Sequence, residues 1–296
     1  MLDLKGIITP VVTPFNRDAE QSINYDALKE LIESLLAKGV AGIFILGSNG
    51  EFHVVNDEET VEMAEKTVEI VAHRVPVFVG VGRNSTNETI KLIRKIEKTG
   101  ADAVTVINPY FILPTEEEVI SHYKTIASST AMPIILYNIP KSTKYNIPPQ
   151  AVRELAEIDN VIGIKDSSGN MDNLSGYLEA VKGTNTKVLI GSDSKISQAI
   201  RLGASGAIAG TSNVITETVV ALYDTLVNGN ERQAEQLQER IEKIRSVLKF
   251  GTVPSVMKRL VELKGINVGP ARKPVGELDR QLDDQLIDVL KYYGYR

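Results

Sequence analysis

The sequence predicts a (β/α)8 barrel, or TIM barrel, followed by a C-terminal helical appendage. Eight short apolar runs, rich in β-branched residues, recur along the 296-residue chain. They are apolar on both faces, which is typical of parallel strands that are buried on both sides. Amphipathic helical patterns lie between them, and repeated strand–helix alternation is typical of barrels and of doubly wound sheets.

The predicted strands are spaced so that a helix fits between most successive pairs. They are GIITPVV (6–12), GIFILG (42–47), VPVFVGV (75–81), ADAVTVI (101–107), MPIILYNI (132–139), VIGIK (161–165), KVLIG (187–191) and GAIAG (206–210). In a doubly wound open sheet, the alternative architecture, the first and eighth strands would be edges. Both have the apolar composition of fully buried strands, so the sequence favours closure into a barrel.

The predicted helices have clear apolar stripes and recognisable ends. The segment at 25–39 carries leucine or isoleucine on one face and ends at Gly39, a residue that commonly terminates helices. Ser85 and Glu88 have the spacing of a capping box at the start of another helix. Similar patterns occupy 57–72, 87–100, 115–127, 148–158 and 194–203.

Three further helical patterns follow the last predicted strand, with no strand between them. They occupy 233–250, 253–265 and 281–294. We therefore expect the barrel to span residues 1–225 and a C-terminal helical region to span residues 226–296.

Composition argues against several kinds of site and partner. The chain has no cysteine, and His53, His73 and His122 lack metal-binding spacing, so we expect no metal and no cofactor. The net charge of −5 argues against nucleic acid as a partner, because phosphate backbones need basic surfaces. No apolar run approaches the ~20 residues that cross a membrane, and no signal-peptide pattern is present. We expect a cytoplasmic protein that does not bind membranes.

Lys165 is the outstanding candidate for chemistry. In barrels of this type, active sites lie at the C-terminal ends of the strands. Lys165 is the only lysine at such an end with an apolar strand leading into it. Burial disfavours the charged form of a lysine, and a neutral amine can attack a ketone to form a Schiff base. The alternative is a structural lysine that extends to solvent at the rim.

Two neighbouring strand ends carry groups that suit this chemistry. Tyr137 ends the preceding strand, and a phenol near an imine can transfer protons. The alternative role for Tyr137 is an aromatic cap on the barrel core. The GSNGE segment (47–51) follows the second strand and offers backbone N–H groups and the Ser48 hydroxyl in a glycine-bracketed turn. Such a turn suits a carboxylate.

Taken in order, these segments resemble a known family. GSNGE, YNIP (137–140) and GIKDSSG (163–169) occur at the spacings of the dihydrodipicolinate synthase / N-acetylneuraminate lyase superfamily of class I aldolases. GSDS (191–194) and GAIAGTSNV (206–214) match as well, and the resemblance covers essentially the whole chain.

The resemblance implies roles for individual residues. Lys165 forms a Schiff base with pyruvate or a larger 2-keto acid, Tyr137 relays protons, and Ser48 helps to hold the keto-acid carboxylate. The expected substrate-binding residues are Gly47, Asn49, Gly50, Ser142, Gly191, Asp193, Ile208 and Gly210. The family is typically a homotetramer, a dimer of tight dimers.

Three departures from the family pattern concern the second-substrate site and the proton relay, to which the resemblance assigns the tyrosine that is replaced by Phe111. Dihydrodipicolinate synthases have an arginine where this chain has Ser142, and the neighbouring Lys141 lacks the planar fork of an arginine. A tyrosine normally lent by the neighbouring subunit is Phe111 here, and the second threonine of the usual GTTGE is Asn49. His53 could also face that end of the pocket.

The leading hypothesis is a pyruvate-dependent aldolase that reversibly cleaves a 2-keto-3-deoxy sugar acid to pyruvate and an aldehyde. Asn49, Ser142 and Asp193 suit a polyhydroxylated chain. The alternative is dihydrodipicolinate synthase, which condenses pyruvate with aspartate semialdehyde. A neuraminate lyase is disfavoured, because Ser194 stands where its pattern has an acidic residue. A keto-acid-binding barrel without turnover remains a third possibility.

Overall fold

The predicted barrel is confirmed in the computed structural model, which describes residues 2–295. Eight strands close into one barrel in the order of the sequence. They are β1 (Gly6–Pro10), β2 (Gly42–Ile45), β3 (Val77–Gly80), β4 (Ala103–Ile107), β5 (Ile134–Asn138), β6 (Val161–Asp166), β7 (Lys187–Ile190) and β8 (Gly206–Ile208). Each pairs in parallel with its neighbours, and β1 pairs with β8 to close the barrel. The open-sheet alternative is therefore wrong.

The strands are buried on both faces, as their apolar composition predicts. One cluster of side chains fills the barrel interior and includes Ile8, Phe44, Phe78, Leu189 and Ile208. A larger cluster lies between the strands and the surrounding helices. The interior is therefore packed, and open space for a ligand is left at the ends of the strands.

The helices alternate with the strands around the barrel and then continue beyond it. They are α1 (Tyr25–Leu36), α2 (Asp57–Val71), α3 (Thr86–Ile96), α4 (Glu116–Ser128), α5 (Pro140–Thr143), α6 (Pro149–Leu155), α7 (Met171–Ala180), α8 (Ile196–Leu202), α9 (Ser212–Val227), α10 (Glu231–Arg245), α11 (Ser255–Leu263) and α12 (Asp283–Tyr292). Ser85 caps α3 by accepting from the Glu88 N–H, as predicted, but the Glu88 carboxylate accepts from Lys91, so among the described residues the second bond of a capping box is not made. Within residues 2–295, none of the helices has both the length and the apolar composition that a membrane crossing requires.

The three predicted C-terminal helices correspond to α10, α11 and α12. Both α10 and α11 pack against α9, the last helix of the barrel, and α10 also contacts α8. The predicted boundary at residue 225 falls in the last turn of α9. The C-terminal helices therefore lie directly on the last βα units, next to the ends of β7 and β8.

Candidate active site

Lys165 and Tyr137 lie side by side at the C-terminal end of the barrel. They are direct partners in the β5–β6 ladder, so their side chains point to the same side. Each is only 4% exposed. Lys165 Nζ lies 4.0 Å from the centroid of the Tyr137 ring and 5.1 Å from that of Phe44. The amine therefore sits between two aromatic rings at the strand ends instead of extending to solvent.

The GSNGE segment reaches the same place from the end of β2. Ser48 Oγ lies 3.1 Å from the Tyr137 hydroxyl, and either atom can be the donor. Within residues 2–295, neither the Ser48 nor the Asn49 N–H donates to a backbone carbonyl. A hydroxyl, a phenol and unoccupied backbone N–H groups thus converge beside the Lys165 amine, as carboxylate binding and proton transfer require.

These groups line a cavity of about 630 Å³ at the mouth of the barrel. Nine of the eleven predicted site residues lie along it: Ser48, Asn49, Tyr137, Ser142, Lys165, Gly191, Asp193, Ile208 and Gly210. The other two, Gly47 and Gly50, do not line it.

Gly50 packs the GSNGE loop against Thr13 and Leu46. Its carbonyl accepts from the Thr13 hydroxyl at 2.6 Å. A Cβ there would lie 2.7 Å from Leu46 N, so the loop can pack this closely only with glycine. Gly50 therefore shapes the loop and does not line the cavity, whereas the resemblance implies that it binds substrate.

The turn after Lys165 is fixed by a buried carboxylate. Asp166 accepts hydrogen bonds from the Asn138 side chain at 3.0 Å, from the Asn173 side chain at 3.2 Å and from the Ser168 N–H and hydroxyl at 2.9 Å. Asn138 in turn accepts from the Ile147 N–H. These bonds place the next two serines along the cavity wall and set the direction in which β6 presents Lys165.

Asp193 has a structural task that the sequence analysis did not foresee. Its two carboxylate oxygens accept from the Gly210 N–H at 3.2 Å and from the Thr211 N–H at 2.7 Å. It therefore ties the segment after β7 to the segment after β8. This reduces its capacity to bind substrate hydroxyls, although it lines the cavity.

The C-terminal helices supply a wall of the cavity that sequence reasoning missed. Arg245 at the end of α10, Thr252, Pro254 and Met257 all line it. Arg245 also pairs with Glu242 at 3.3 Å. No local pattern marks these residues, because their approach to the barrel depends on how α10 and α11 pack.

The charge of the cavity is predominantly basic. Lys141, Lys165 and Arg245 are among its lining residues, and Asp193 is the only acidic one among residues 2–295. Since the Asp193 carboxylate is engaged by backbone N–H groups, the cavity favours anionic ligands. Lys141 lies on α5, which directly follows β5, and Arg245 is the last residue of α10.

Two further expectations have different outcomes. His53 is exposed and does not line the cavity, so it is a surface residue and does not face the substrate end of the pocket. Phe111 is 90% exposed and has a left-handed backbone conformation, with φ 78°. It lines a separate surface cavity together with Tyr110, Leu113 and Ser142, and Ser142 also lines the cavity around Lys165. Phe111 therefore lies near the mouth of the site but outside it.

Comparison with known proteins identifies relatives of the whole chain. The family model described as "Dihydrodipicolinate synthetase family" matches residues 3–293. A 4-hydroxy-tetrahydrodipicolinate synthase from Methanoculleus marisnigri is 35% identical over 290 residues, which are 98% of this chain and 99% of that protein.

Two solved structures have the same fold over almost their full length. Dihydrodipicolinate synthase from Thermotoga maritima has a TM-score of 0.95 and 30% identity, covering 99% of this chain and 100% of that one. YagE from E. coli K12, a prophage protein of the dihydrodipicolinic acid synthase family solved in complex with pyruvate, has a TM-score of 0.93 and 31% identity, covering 99% of each chain.

Proposed function

The chain belongs to the dihydrodipicolinate synthetase family and is a lyase, and from that premise we propose that it forms a Schiff base between Lys165 and pyruvate. The Lys165 amine, in its unprotonated form, adds to the pyruvate ketone, and the carbinolamine takes up a proton and loses water to give an iminium ion. Loss of a methyl proton then gives an enamine, which attacks the carbonyl carbon of an aldehyde. Hydrolysis, or attack by an amine of the product, releases Lys165.

Ser48 and Tyr137 divide the work around this intermediate. Tyr137 transfers protons to and from the carbinolamine and the substrate oxygen, and its 3.1 Å contact with Ser48 orients the hydroxyl. The Ser48 and Asn49 N–H groups hold the carboxylate of pyruvate. The Phe44 and Tyr137 rings pack against the Lys165 side chain and fix the position of its amine at the strand ends.

For the second substrate, the comparisons support the alternative from the sequence analysis over its leading hypothesis. Relatives at 33–35% identity over nearly the whole chain carry the name 4-hydroxy-tetrahydrodipicolinate synthase. We therefore propose that the aldehyde is aspartate semialdehyde. The observation that carries this proposal is the pair of cations, Lys141 and Arg245, along the outer part of the cavity.

These cations suit an aldehyde with a carboxylate at its far end. Ser142 replaces the arginine that is usual in the synthases. Lys141 lies beside Ser142 on α5, and Arg245 lines the cavity from α10. A charge-assisted hydrogen bond from either side chain can replace part of the missing contact. The neutral, hydroxylated end of a sugar acid makes no use of two cations.

Cleavage of a 2-keto-3-deoxy sugar acid remains the second candidate. It is favoured by Asn49 and Ser142, which line the cavity and can bind hydroxyl groups. Both reactions share the pyruvate half of the site, so they differ only in the partner of the enamine.

The deciding experiment compares the two reactions on one enzyme preparation. Condensation is followed with pyruvate and aspartate semialdehyde, and cleavage is followed as pyruvate release from 2-keto-3-deoxy hexonates and pentonates. We expect condensation to have the higher kcat/KM. Arg245→Met and Lys141→Met should raise the KM for aspartate semialdehyde and leave the KM for pyruvate unchanged. Faster cleavage of a sugar acid, with no effect of either variant, would favour the second candidate.

A further inference from the structure

A buried ion pair joins the C-terminal helix α11 to the GSNGE loop. Glu51 Oε1 lies 2.7 Å from Lys258 Nζ, and each side chain is only 1% exposed. Among residues 2–295, no donor meets hydrogen-bond geometry at that oxygen, so the ion pair with Lys258 is what compensates its charge. Removing one partner of such a pair leaves an uncompensated charge in the interior, so the pair fixes the relative position of the two segments.

Glu51 is part of the loop that we assign to carboxylate binding. Its backbone is left-handed, with φ 58° and ψ 34°, which is uncommon for a residue other than glycine. Its N–H donates to the Ser48 carbonyl at 3.3 Å. A strained backbone persists when its surroundings hold it, and here the Glu51 side chain is the anchor.

The second carboxylate oxygen of Glu51 is held by the segment after α11. Arg272 N–H donates to Glu51 Oε2 at 2.8 Å, and the Arg272 side chain pairs with Glu59 on α2. Lys258 Nζ also donates to the Pro270 carbonyl at 2.6 Å. The charges of Glu51 and Glu59 balance those of Lys258 and Arg272. Removing any one of them therefore leaves an uncompensated charge among the others.

Lys258 carries its charge at neutral pH despite complete burial. Burial lowers its pKa to about 8, and Glu51 opposes this by stabilising the charged form. Glu262 acts in the same direction as Glu51, whereas Arg272 adds to the lowering. The centroid of the Phe15 ring lies 4.3 Å from Lys258 Nζ, so a cation–π contact adds to the stabilisation of the ammonium.

We propose that Glu51 and Lys258 are positioning residues for keto-acid binding. Neither lines the cavity, so they act through the loop: they hold the N–H groups and the hydroxyl of Ser48 where the carboxylate binds. The C-terminal helices thereby help to set the affinity for pyruvate. This inference rests on the proposed function, because it requires the GSNGE loop to receive the keto-acid carboxylate.

The test uses the pyruvate concentration that gives half-maximal borohydride trapping on the full-length protein. Lys258→Met should raise that concentration roughly tenfold, because the loop loses its anchor, while trapping at saturating pyruvate stays complete. The double variant E51Q/K258M has no buried charge in this pair and should recover most of the affinity. Should K258M fail to fold, E51Q alone should raise the concentration several-fold, because a neutral amide binds the ammonium more weakly.

Arg259→Met is the matched control. Arg259 lies next to Lys258 on α11 and pairs with Asp283, away from the loop. R259M should lower stability and leave the half-saturating pyruvate concentration unchanged. A K258M value equal to that of R259M, a double variant no better than K258M, or an E51Q value equal to that of the unaltered protein overturns the inference. Absence of any adduct in the unaltered protein would instead contradict the proposed function.

Discussion

At the scale of single residues, the Tyr137 hydroxyl is the group closest to a defined catalytic task. It lies 3.1 Å from Ser48 Oγ, and its ring covers the Lys165 amine. Tyr137→Phe keeps the ring and removes the proton relay. We expect kcat to fall by about 10²–10⁴-fold, the usual contribution of general acid–base catalysis. Steady-state kinetics measures kcat, and protein mass after borohydride trapping measures how much imine the variant forms.

The matched control for Tyr137 is Tyr145→Phe. Tyr145 is partly buried but does not line the cavity. Its loss should leave kcat within about twofold, since it takes no part in proton transfer. Ser48→Ala should give an intermediate loss, because Tyr137 would keep its hydroxyl but lose the neighbour that orients it. Equal activity in Y137F and Y145F would contradict the relay.

His122 controls part of the acid sensitivity of the fold. It is buried, its Nδ1 lies 2.9 Å from Thr86 Oγ1, and burial lowers its pKa from 6.5 to about 4. Between those pH values the unfolded chain takes up a proton that the folded chain refuses, so stability falls as pH drops from 6.5 to 4. The full effect is roughly 3 kcal/mol.

His122→Gln removes this titration and tests the assignment. Denaturant unfolding at several pH values between 6.5 and 4.5 should show a smaller loss of stability in H122Q than in the unaltered protein. Parallel stability curves for the two proteins would mean that His122 is not the source. The spacing of the histidines in the sequence argued against a metal site. It could not reveal the lowered pKa of His122, because that shift comes from burial in the fold.

At the scale of strands and helices, the end of β6 packs so closely against the residue after β7 that only glycine, Gly191, fits there. A Cβ at Gly191 would lie 2.0 Å from Ser167 Oγ and 2.9 Å from Lys165 Cε. Gly191→Ala should therefore displace the amine and lower kcat/KM by roughly 10²-fold, since small misplacements of reacting groups are costly. The cost in stability should be modest, because a side-chain hydroxyl can move.

Gly276→Ala is the control for this substitution. A Cβ at Gly276 meets no atom within 4 Å. G276A should retain both activity and thermal stability, which circular dichroism melts and kinetics measure in parallel. If G191A also retained full activity, the position of Lys165 would not depend on the close approach of β7.

The strands were predictable because their signal is local. Runs such as VIGIK and GAIAG are apolar on both faces, and only a closed barrel buries both edges. The packing of α10 and α11 was not predictable. Their periodicity shows that each has an apolar face, but it does not show which other helix that face contacts. The placement of Arg245 on the cavity and the contact of Lys258 with Glu51 depend on that packing.

At the scale of the whole molecule, the tip after β4 is an exposed apolar surface. Phe111, Ile112 and Leu113 are 90%, 75% and 53% exposed in the single chain. Exposed apolar patches commonly mark contacts with another chain. We propose that the protein is a homotetramer, as the sequence resemblance implies, which light scattering on the purified protein measures.

We propose that Phe111 connects assembly to activity. If this position serves the site of a neighbouring subunit, Phe111→Tyr would restore a hydroxyl to the proton relay and should raise kcat several-fold. Tyr110→Phe is the control, since it removes a hydroxyl from the adjacent position. An unchanged kcat in F111Y would show that the relay does not use this position.

The site itself was largely predictable, with instructive exceptions. Lys165, Tyr137 and Ser48 come from three different strand ends, and the barrel topology alone brings strand ends together. Gly50 and Asp193 were assigned to substrate binding, but Gly50 does not line the cavity, and Asp193, which does, already accepts from two backbone N–H groups. Residue type and order do not reveal which groups are already occupied within the fold.

The central claim is that Lys165 forms an imine with pyruvate. The most direct test is borohydride reduction in the presence of pyruvate, followed by mass mapping of the peptides. A reduced pyruvate adduct on the peptide that contains Lys165, absent from a Lys165→Arg variant, is the predicted result. A folded protein with no adduct, or with the adduct on another lysine, would contradict the mechanism.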